Sequence, residues 1–145
     1  MKNNFQLTES QKNDLTTLLS GYPVIVAYLY GSVVRGDTIP TSDVDIGILL
    51  ENGLTKSERF DLRLRLIGEL GAVLKTSNVD LVVLNDSPIP LQFEIISANQ
   101  VLYCKDESTR VDHEVYVMSR YLDMKYYRDR HSKILMEQIA RDGLQ

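Results

Sequence analysis

The sequence has few cysteines and no long apolar run, and these features identify disulfide-rich, zinc-binding and membrane-spanning proteins. Its 145 residues include one cysteine, Cys104, which excludes an internal disulfide framework and a zinc site built from several cysteines. No apolar run approaches the roughly 20 residues that span a bilayer. The segment Met1–Phe5 lacks the apolar core of a signal peptide. Together these absences predict a cytoplasmic protein that does not bind membranes.

Basic residues are also too few for a general nucleic-acid surface. The net charge is −4, which argues against electrostatic binding of long nucleic acids. Residues 119–133 nevertheless carry five basic and two acidic side chains, a local charge of +3. This segment also contains Tyr121, Tyr126 and Tyr127. It is either a partner-binding surface, since Tyr and Arg are enriched at binding hot spots, or a helix packed on its own domain.

The spacing of apolar residues predicts four strands and several helices. The strands are expected at 24–30, 43–50, 79–84 and 101–104. Capping boxes at 8–11 and 55–58 predict the starts of two helices, the second ending near Leu70, and a third helix follows Pro88 to about Ala98. From Ser108 we expect a long helix, in which four apolar residues recur at spacings of 4, 3 and 4: Val111, Val115, Met118 and Leu122.

These elements predict one α/β or α+β domain over residues 1–145. A single mixed sheet of about four strands, with helices packed on it, would occupy about residues 24–104. A C-terminal helical extension at about 108–142 would carry the possible partner-binding surface. His113 and His131 are expected on the surface of that helix, and Cys104 is expected to be a small core residue.

Two aspartates stand one residue apart at the start of the second strand. Side chains at i and i+2 of a strand project from the same face, so the carboxylates of Asp43 and Asp45 are expected together, ~7 Å apart at their Cα atoms. Such a repulsive pair is stabilised by a cation. Oxygen ligands without a nearby histidine or cysteine suit Mg²⁺ or Mn²⁺ rather than zinc.

Gly31 and Ser32 directly follow the first buried strand. Glycine permits close backbone approach, and free N–H groups at the start of a helical turn bind phosphate oxygens. Asp80 stands in an otherwise apolar strand, and three carboxylates meet if this strand neighbours residues 43–50. A phosphate cradle beside such carboxylates indicates phosphoryl or nucleotidyl transfer. The alternative for Asp80 is an ordinary strand-edge aspartate.

These residues resemble a known family. Gly31-Ser32, ten intervening residues and Asp43-x-Asp45 are similar to the Gly-Ser-x10-Asp-x-Asp signature of the DNA polymerase β-like nucleotidyltransferases. Arg35-Gly36 and Ser42 match the longer pattern of the small branch, although Arg35 is equally compatible with a surface arginine. Residues 80–85 and 88–103 look like the second half of the minimal nucleotidyltransferases, antitoxins that pair with HEPN-domain RNase toxins.

The resemblance implies an activity. In that family AMP passes from ATP to a tyrosine of the toxin, which silences the toxin. By position, Asp43, Asp45 and Asp80 would serve the metals and the chemistry, with Asp80 assisting deprotonation of the acceptor. Gly31 and Ser32 would hold phosphates, and Arg35 and Ser42 are secondary phosphate candidates. The implied partners are ATP, Mg²⁺ and a cognate HEPN-domain toxin.

Two other functions remain open from the sequence. The chain could neutralise its partner by occlusion, without catalysis, or it could modify a small molecule or an RNA end. The absence of a Gly-x4-Gly-Lys-Ser/Thr motif excludes a P-loop enzyme. The Arg-x4–6-His arrangement typical of HEPN RNases is also absent, so the chain is not itself the toxin.

Overall fold

Helices and strands are mixed along residues 7–31 and 44–143, the part of the chain that the computed structural model describes. A short 3₁₀ turn, Leu84–Asp86, follows the third strand. In chain order the elements are α1 (Glu9–Ser20), β1 (Val24–Tyr30), β2 (Val44–Leu50), α2 (Lys56–Leu74), β3 (Val79–Val83), α3 (Ile89–Ser97), β4 (Val101–Cys104) and α4 (Glu107–Asp142).

Both capping boxes form as expected. The Thr8 hydroxyl accepts a hydrogen bond from the backbone N–H of Gln11 at 3.1 Å, and the Gln11 side chain accepts from the backbone N–H of Thr8. Thr55 and Glu58 make the same pair of bonds at the start of α2. Each box satisfies N–H groups that the first helical turn leaves without partners.

Helix α2 runs one turn beyond the end expected at Leu70. Its buried residues Leu66, Leu70 and Leu74 recur at a spacing of four, so one more turn buries one more leucine. The helix ends at Lys75, which has a left-handed backbone with φ of 55°. The helix therefore ends later than expected, because the additional turn packs Leu74 in the core.

The four strands form one mixed sheet in the order β3-β2-β1-β4. β1 pairs antiparallel with β2 and β4, whereas β2 pairs parallel with β3. This sheet, with helices packed on it and a long C-terminal helix, confirms the expected fold class. The parallel pair requires a crossover connection, which α2 supplies.

Each face of the sheet has its own apolar core. On one face, buried residues of α1 and α2 pack against β1, β2 and β3, with Leu15, Leu66, Ile46 and Leu81 among them. On the other face, α3 and α4 contribute Ile95, Ile96 and Val117, which pack against Val26, Tyr28 and Tyr30 of β1. Cys104 is half-buried against this second core.

Only the first half of α4 lies on the domain. Val117 is its one buried residue within the described part of the chain, and the ring of Tyr121 stacks on Phe93 of α3 with ring centroids 3.9 Å apart. Tyr126 and Tyr127 are exposed. The regularly spaced stripe expected from the sequence faces solvent, with exposed fractions between 44% and 59% for Val111, Val115, Met118 and Leu122.

Polar contacts fix α4 against the sheet. The Tyr28 hydroxyl donates to the Glu114 carboxylate at 2.8 Å, and Arg110 also donates to this carboxylate at 2.6 Å. His113 is half-buried rather than exposed, and its Nε2 lies 2.9 Å from Oε1 of Gln92 in α3. The expectation of a surface histidine was wrong for His113, because it lies on the packed side of the helix. His131, farther along α4, is exposed as expected.

Protonation of His113 is expected to destabilise the fold. Burial lowers the pKa of His113, although nearby Glu114 opposes the shift. The unfolded chain therefore binds this proton more readily, so stability present above about pH 6.5 is lost as the pH falls below it. Urea denaturation at a series of pH values checks this: the loss below that pH should be smaller in His113→Gln. His131→Gln is the matched control and should retain the wild-type dependence.

No helix within residues 7–31 and 44–143 is both long and apolar enough to cross a membrane.

Candidate active site

Three polar residues lie in one row across the sheet. Tyr30, the last residue of β1, pairs with Asp45 of β2, and Asp45 pairs in parallel register with Asp80 of β3. Residues paired in this way project from the same face, about 5 Å from one neighbour to the next. The two carboxylates are therefore brought side by side, although 35 residues separate them in the sequence.

Gly31 closes the row at the end of β1. Its φ of +81° lies in the left-handed region, which glycine adopts without strain. A Cβ at this position would also collide with the carboxylate of Asp45. Two independent physical reasons thus require glycine here, and the second shows that the Asp45 carboxylate lies directly against the backbone that follows β1.

Exposure to solvent increases along the row from Tyr30 to Asp80. Tyr30 is 7% exposed, Asp45 is half-buried and Asp80 is exposed. Burial raises the pKa of Tyr30 above its ordinary value, and the negative charges of Asp45, Asp80 and Glu94 raise it further. The Tyr30 phenol therefore stays protonated at neutral pH, and the negative charge of the site belongs to the carboxylates.

Helix α3 covers the face from which the row projects. It approaches β2 closely at Gly47, where an added Cβ would lie 2.8 Å from the side chain of Ile95. Gly47 is two residues beyond Asp45 and therefore lies on the same face of the strand. The preceding residue of the helix, Glu94, adds a carboxylate near Tyr30. Three carboxylates, those of Asp45, Asp80 and Glu94, thus lie around Tyr30 on the face of the sheet that α3 covers.

The donor atoms of this site fit a hard divalent cation. Asp45 and Asp80 offer only carboxylate oxygens, which Mg²⁺ prefers, and their close placement on one face favours a cation between them. Among residues 7–31 and 44–143 no group of three His, Cys, Asp or Glu side chains is arranged to hold a metal ion. Asp43, the other aspartate expected at the metal, lies outside these residues.

The structure brings together three of the seven residues expected at the site: Gly31, Asp45 and Asp80. The other four, Ser32, Arg35, Ser42 and Asp43, lie outside the described residues, so their placement stays a prediction. Sequence reasoning missed Tyr30 and Glu94. Tyr30 could have been identified as a polar residue that ends an apolar strand directly before Gly31, whereas Glu94 gives no such signal in the sequence.

Comparisons with known proteins identify the family to which this fold belongs. The family model for Polymerase beta, Nucleotidyltransferase matches residues 13–108. The curated spectinomycin 9-adenylyltransferase of Campylobacter jejuni is 37% identical over 81 residues, which are 53% of this chain and 31% of that protein. The chain thus spans about a third of the length of the curated relative that it matches.

Solved structures similar to this chain come from toxin–antitoxin pairs. A mutant MntA–HpeT complex contains a chain that is 25% identical, with a TM-score of 0.66 over 90% of this chain and 99% of that one. A toxin–antitoxin structure with AMP-PNP is 24% identical, with a TM-score of 0.63, over 86% of this chain and 98% of that one. The complex of tri-AMPylated Shewanella oneidensis HEPN toxin with MNT antitoxin contains a chain that is 22% identical, with a TM-score of 0.60. The match covers 87% of this chain and 96% of that one. These similarities show a shared fold.

Proposed function

The chain belongs to the polymerase β nucleotidyltransferase family, and on that premise we propose that it is an antitoxin that acts as a protein adenylyltransferase. It transfers AMP from ATP to a tyrosine hydroxyl of a cognate HEPN-family RNase toxin and so inactivates it. The observation that carries the proposal is the register of Asp45 with Asp80, with Gly31 directly against the Asp45 carboxylate. We propose further that residues 1–145 form a single domain that acts in the cytoplasm.

Each of the seven residues predicted at the site has a role in the proposed reaction. Asp43, Asp45 and Asp80 would hold Mg²⁺ or Mn²⁺, which would supply Lewis-acid stabilisation of the charge that develops at the transferred phosphate. Gly31 and Ser32 bind the triphosphate through close backbone approach and N–H groups. Arg35 and Ser42 add secondary phosphate contacts. Asp80, at the exposed end of the row, faces the incoming acceptor.

The transfer itself is a displacement at the α-phosphorus of ATP. The phenolic oxygen of the acceptor forms a bond to that phosphorus, the bond to the bridging oxygen breaks, and pyrophosphate leaves. The phenolic proton passes to the Asp80 carboxylate. A tyrosine hydroxyl with an ordinary pKa of about 10 is a far better acceptor than an aliphatic alcohol. The exposure of Asp80 leaves room for a protein side chain to approach.

The names of the similar structures support the partner and the nucleotide. They describe toxin–antitoxin complexes, one containing AMP-PNP and another containing a HEPN toxin that carries AMP groups. The match covers 98% and 96% of the length of the matched chains in those two structures. A net charge of −4 agrees with a protein acceptor better than with RNA.

Mass measurement of the acceptor tests the proposal. The chain is incubated with ATP, Mg²⁺ and the cognate HEPN protein, and the mass of the HEPN protein is then measured by mass spectrometry. We expect a gain of one or more AMP groups on a tyrosine, with a matching loss of its RNase activity. A HEPN protein of unchanged mass, or an undiminished gain with a chain carrying Asp43→Ala and Asp45→Ala, would contradict catalysis.

Inhibition by occlusion is the second candidate function. It is favoured by the outer face of α4, where Val111, Val115, Met118 and Leu122 are exposed next to the basic segment 119–133. If the chain with both aspartates replaced still inhibits the HEPN RNase, occlusion is sufficient. Replacing Met118 and Leu122 by serine would then abolish inhibition, whereas under the catalytic proposal inhibition requires the aspartates.

Transfer to a small molecule is the third candidate, favoured by the similarity to a spectinomycin adenylyltransferase. Adding spectinomycin in place of the HEPN protein tests it in the same assay. Formation of adenylylated spectinomycin would establish this function, and an antibiotic of unchanged mass would exclude spectinomycin as the acceptor.

A further inference from the structure

A groove runs along the outer edge of β3, beginning at the residue after Asp80. It has a volume of about 280 Å³ and is lined by Lys56, Phe60 and Arg63 of α2 and by residues 81–83 of β3. β3 is an edge strand, so nothing in the sheet covers this side. The first residue of the groove adjoins Asp80, and two residues along a strand span only about 7 Å. The groove lies on the α2 side of β3, whereas Asp80 projects from the α3 side. An extended molecule in this edge groove therefore reaches Asp80 by passing around the open edge of β3.

The walls of the edge groove combine an apolar surface with positive charge. Phe60 is 56% exposed although it is large and apolar, and β3 contributes valines and a leucine. Three basic side chains line the groove against one carboxylate, Asp86, which gives it a charge of +2 in a chain whose net charge is −4. This composition favours a ligand that has both apolar and acidic side chains.

Two backbone carbonyls of β3 already accept side-chain hydrogen bonds on this side. Arg63 Nε donates to the Leu81 carbonyl at 2.6 Å, and the Ser87 hydroxyl donates to the Val83 carbonyl at 2.8 Å. These side chains occupy the carbonyls that an added strand would need, so the edge does not favour extension of the sheet. Recognition in the edge groove therefore depends on side chains, chiefly Phe60 and the exposed Lys56.

The arginines of the groove are held in place. Arg59 makes two hydrogen bonds to the Asp86 carboxylate, at 2.9 and 2.7 Å, and a third to the Leu54 carbonyl. The Arg59 guanidinium also lowers the pKa of Asp86, so this ion pair persists at neutral pH. The groove thus has a rigid base, which leaves Lys56 as the cation available to an incoming carboxylate.

A second cavity has the opposite charge. It is lined by Glu58, Asp61 and Glu69 against one basic residue, Arg65, and lies beside Gly21 to Pro23. That is the opposite end of β1 from Tyr30 and Asp45, and the sign of its charge is reversed. Of the two cavities described, only the edge groove combines positive charge with proximity to the carboxylate row.

We propose that the edge groove binds an extended segment of the acceptor protein that carries an apolar side chain beside an acidic one. The apolar side chain contacts Phe60 and the acidic one pairs with Lys56, which holds the acceptor tyrosine next to Asp80. This inference rests on the proposed function, because it explains how the adenylyltransferase binds its protein substrate. The groove determines affinity for the acceptor and not the chemistry of transfer.

The test compares a groove variant with a matched control. The variant carries Phe60→Ala and Lys56→Glu, both at exposed positions, and the control carries Leu64→Ala, one turn further along α2, 52% exposed and outside the groove. Binding of the cognate HEPN protein is measured without ATP by surface plasmon resonance, and KM and kcat are measured separately. We expect Kd and KM to rise about tenfold or more in the groove variant, with kcat and the melting temperature unchanged, and less than twofold changes in the control.

The outcomes separate this inference from the proposed function. AMP transfer with an unchanged KM and Kd in the groove variant would overturn the groove and leave the function standing. Groove-dependent binding without any AMP transfer would overturn the function and leave the groove standing, whereas absence of both binding and transfer would overturn both. Self-association of the wild-type chain that is lost in the groove variant would assign the groove to a second copy and overturn the inference.

Discussion

Replacing Asp45 by asparagine is expected to reduce AMP transfer about 10³-fold or more while leaving the fold intact. Asp45 lies between Tyr30 and Asp80 in the row and against Gly31, so it is the central residue of the row. Its negative charge is needed to hold the divalent cation, and loss of several kcal/mol of transition-state stabilisation corresponds to this factor. Asparagine keeps nearly the same shape, which preserves the packing of β2.

The measurement is the rate of AMP incorporation into the acceptor at saturating ATP and Mg²⁺. Asp61→Asn is the matched control, since it removes the same charge from an exposed position on α2 and should leave the rate within twofold. Circular dichroism and the melting temperature of both variants should match the wild type. Transfer by Asp45→Asn at more than a tenth of the wild-type rate would remove Asp45 from the chemistry.

Replacing Gly31 by alanine is expected to impair both stability and transfer. The φ of +81° costs an alanine residue about 1–2 kcal/mol, and its Cβ would collide with the Asp45 carboxylate. The collision is relieved only if the carboxylate or the end of β1 moves. A displacement of about 1 Å at a catalytic group can cost about 10²-fold in rate, and we expect at least that loss.

Gly53→Ala separates the two effects of the Gly31 substitution. Gly53 also has a positive φ, +100°, but an added Cβ there has no atom within 4 Å. Both variants should therefore lose a similar amount of stability to backbone strain in urea denaturation. Only Gly31→Ala should also lose activity, and equal activity in the two variants would show that Asp45 tolerates displacement.

The sequence predicted most of the secondary structure because local signals were strong. Capping boxes at Thr8 and Thr55 fix helix starts through bonds between residues three apart, which a sequence displays directly. The end of α2 was harder to predict, because the helix continues to bury Leu74 and that benefit depends on the sheet beneath it. Local sequence signals therefore predicted the starts of α1 and α2 more accurately than the end of α2.

The long helix α4 shows where periodicity fails. A 4, 3, 4 spacing of apolar residues is typical of a packed face, yet Val111, Val115, Met118 and Leu122 are exposed. The face that packs on the domain is held by Val117, by Glu114 through Tyr28 and by the stacking of Tyr121 on Phe93. Spacing identifies an apolar stripe on a helix. Which face of the helix packs on the domain depends on the side chains that β1 and α3 present to it.

The sequence by itself determined that this chain carries Gly31 and the aspartates of a nucleotidyltransferase, since residue types and spacings within one segment are visible without a fold. Only the tertiary structure decided that Asp80 belongs with Asp45, because the parallel register of β2 and β3 joins residues 35 positions apart. It also added Tyr30 and Glu94 to the site and placed a basic, apolar groove beside Asp80. Such juxtapositions arise from strand order and helix packing, which depend on contacts between distant segments.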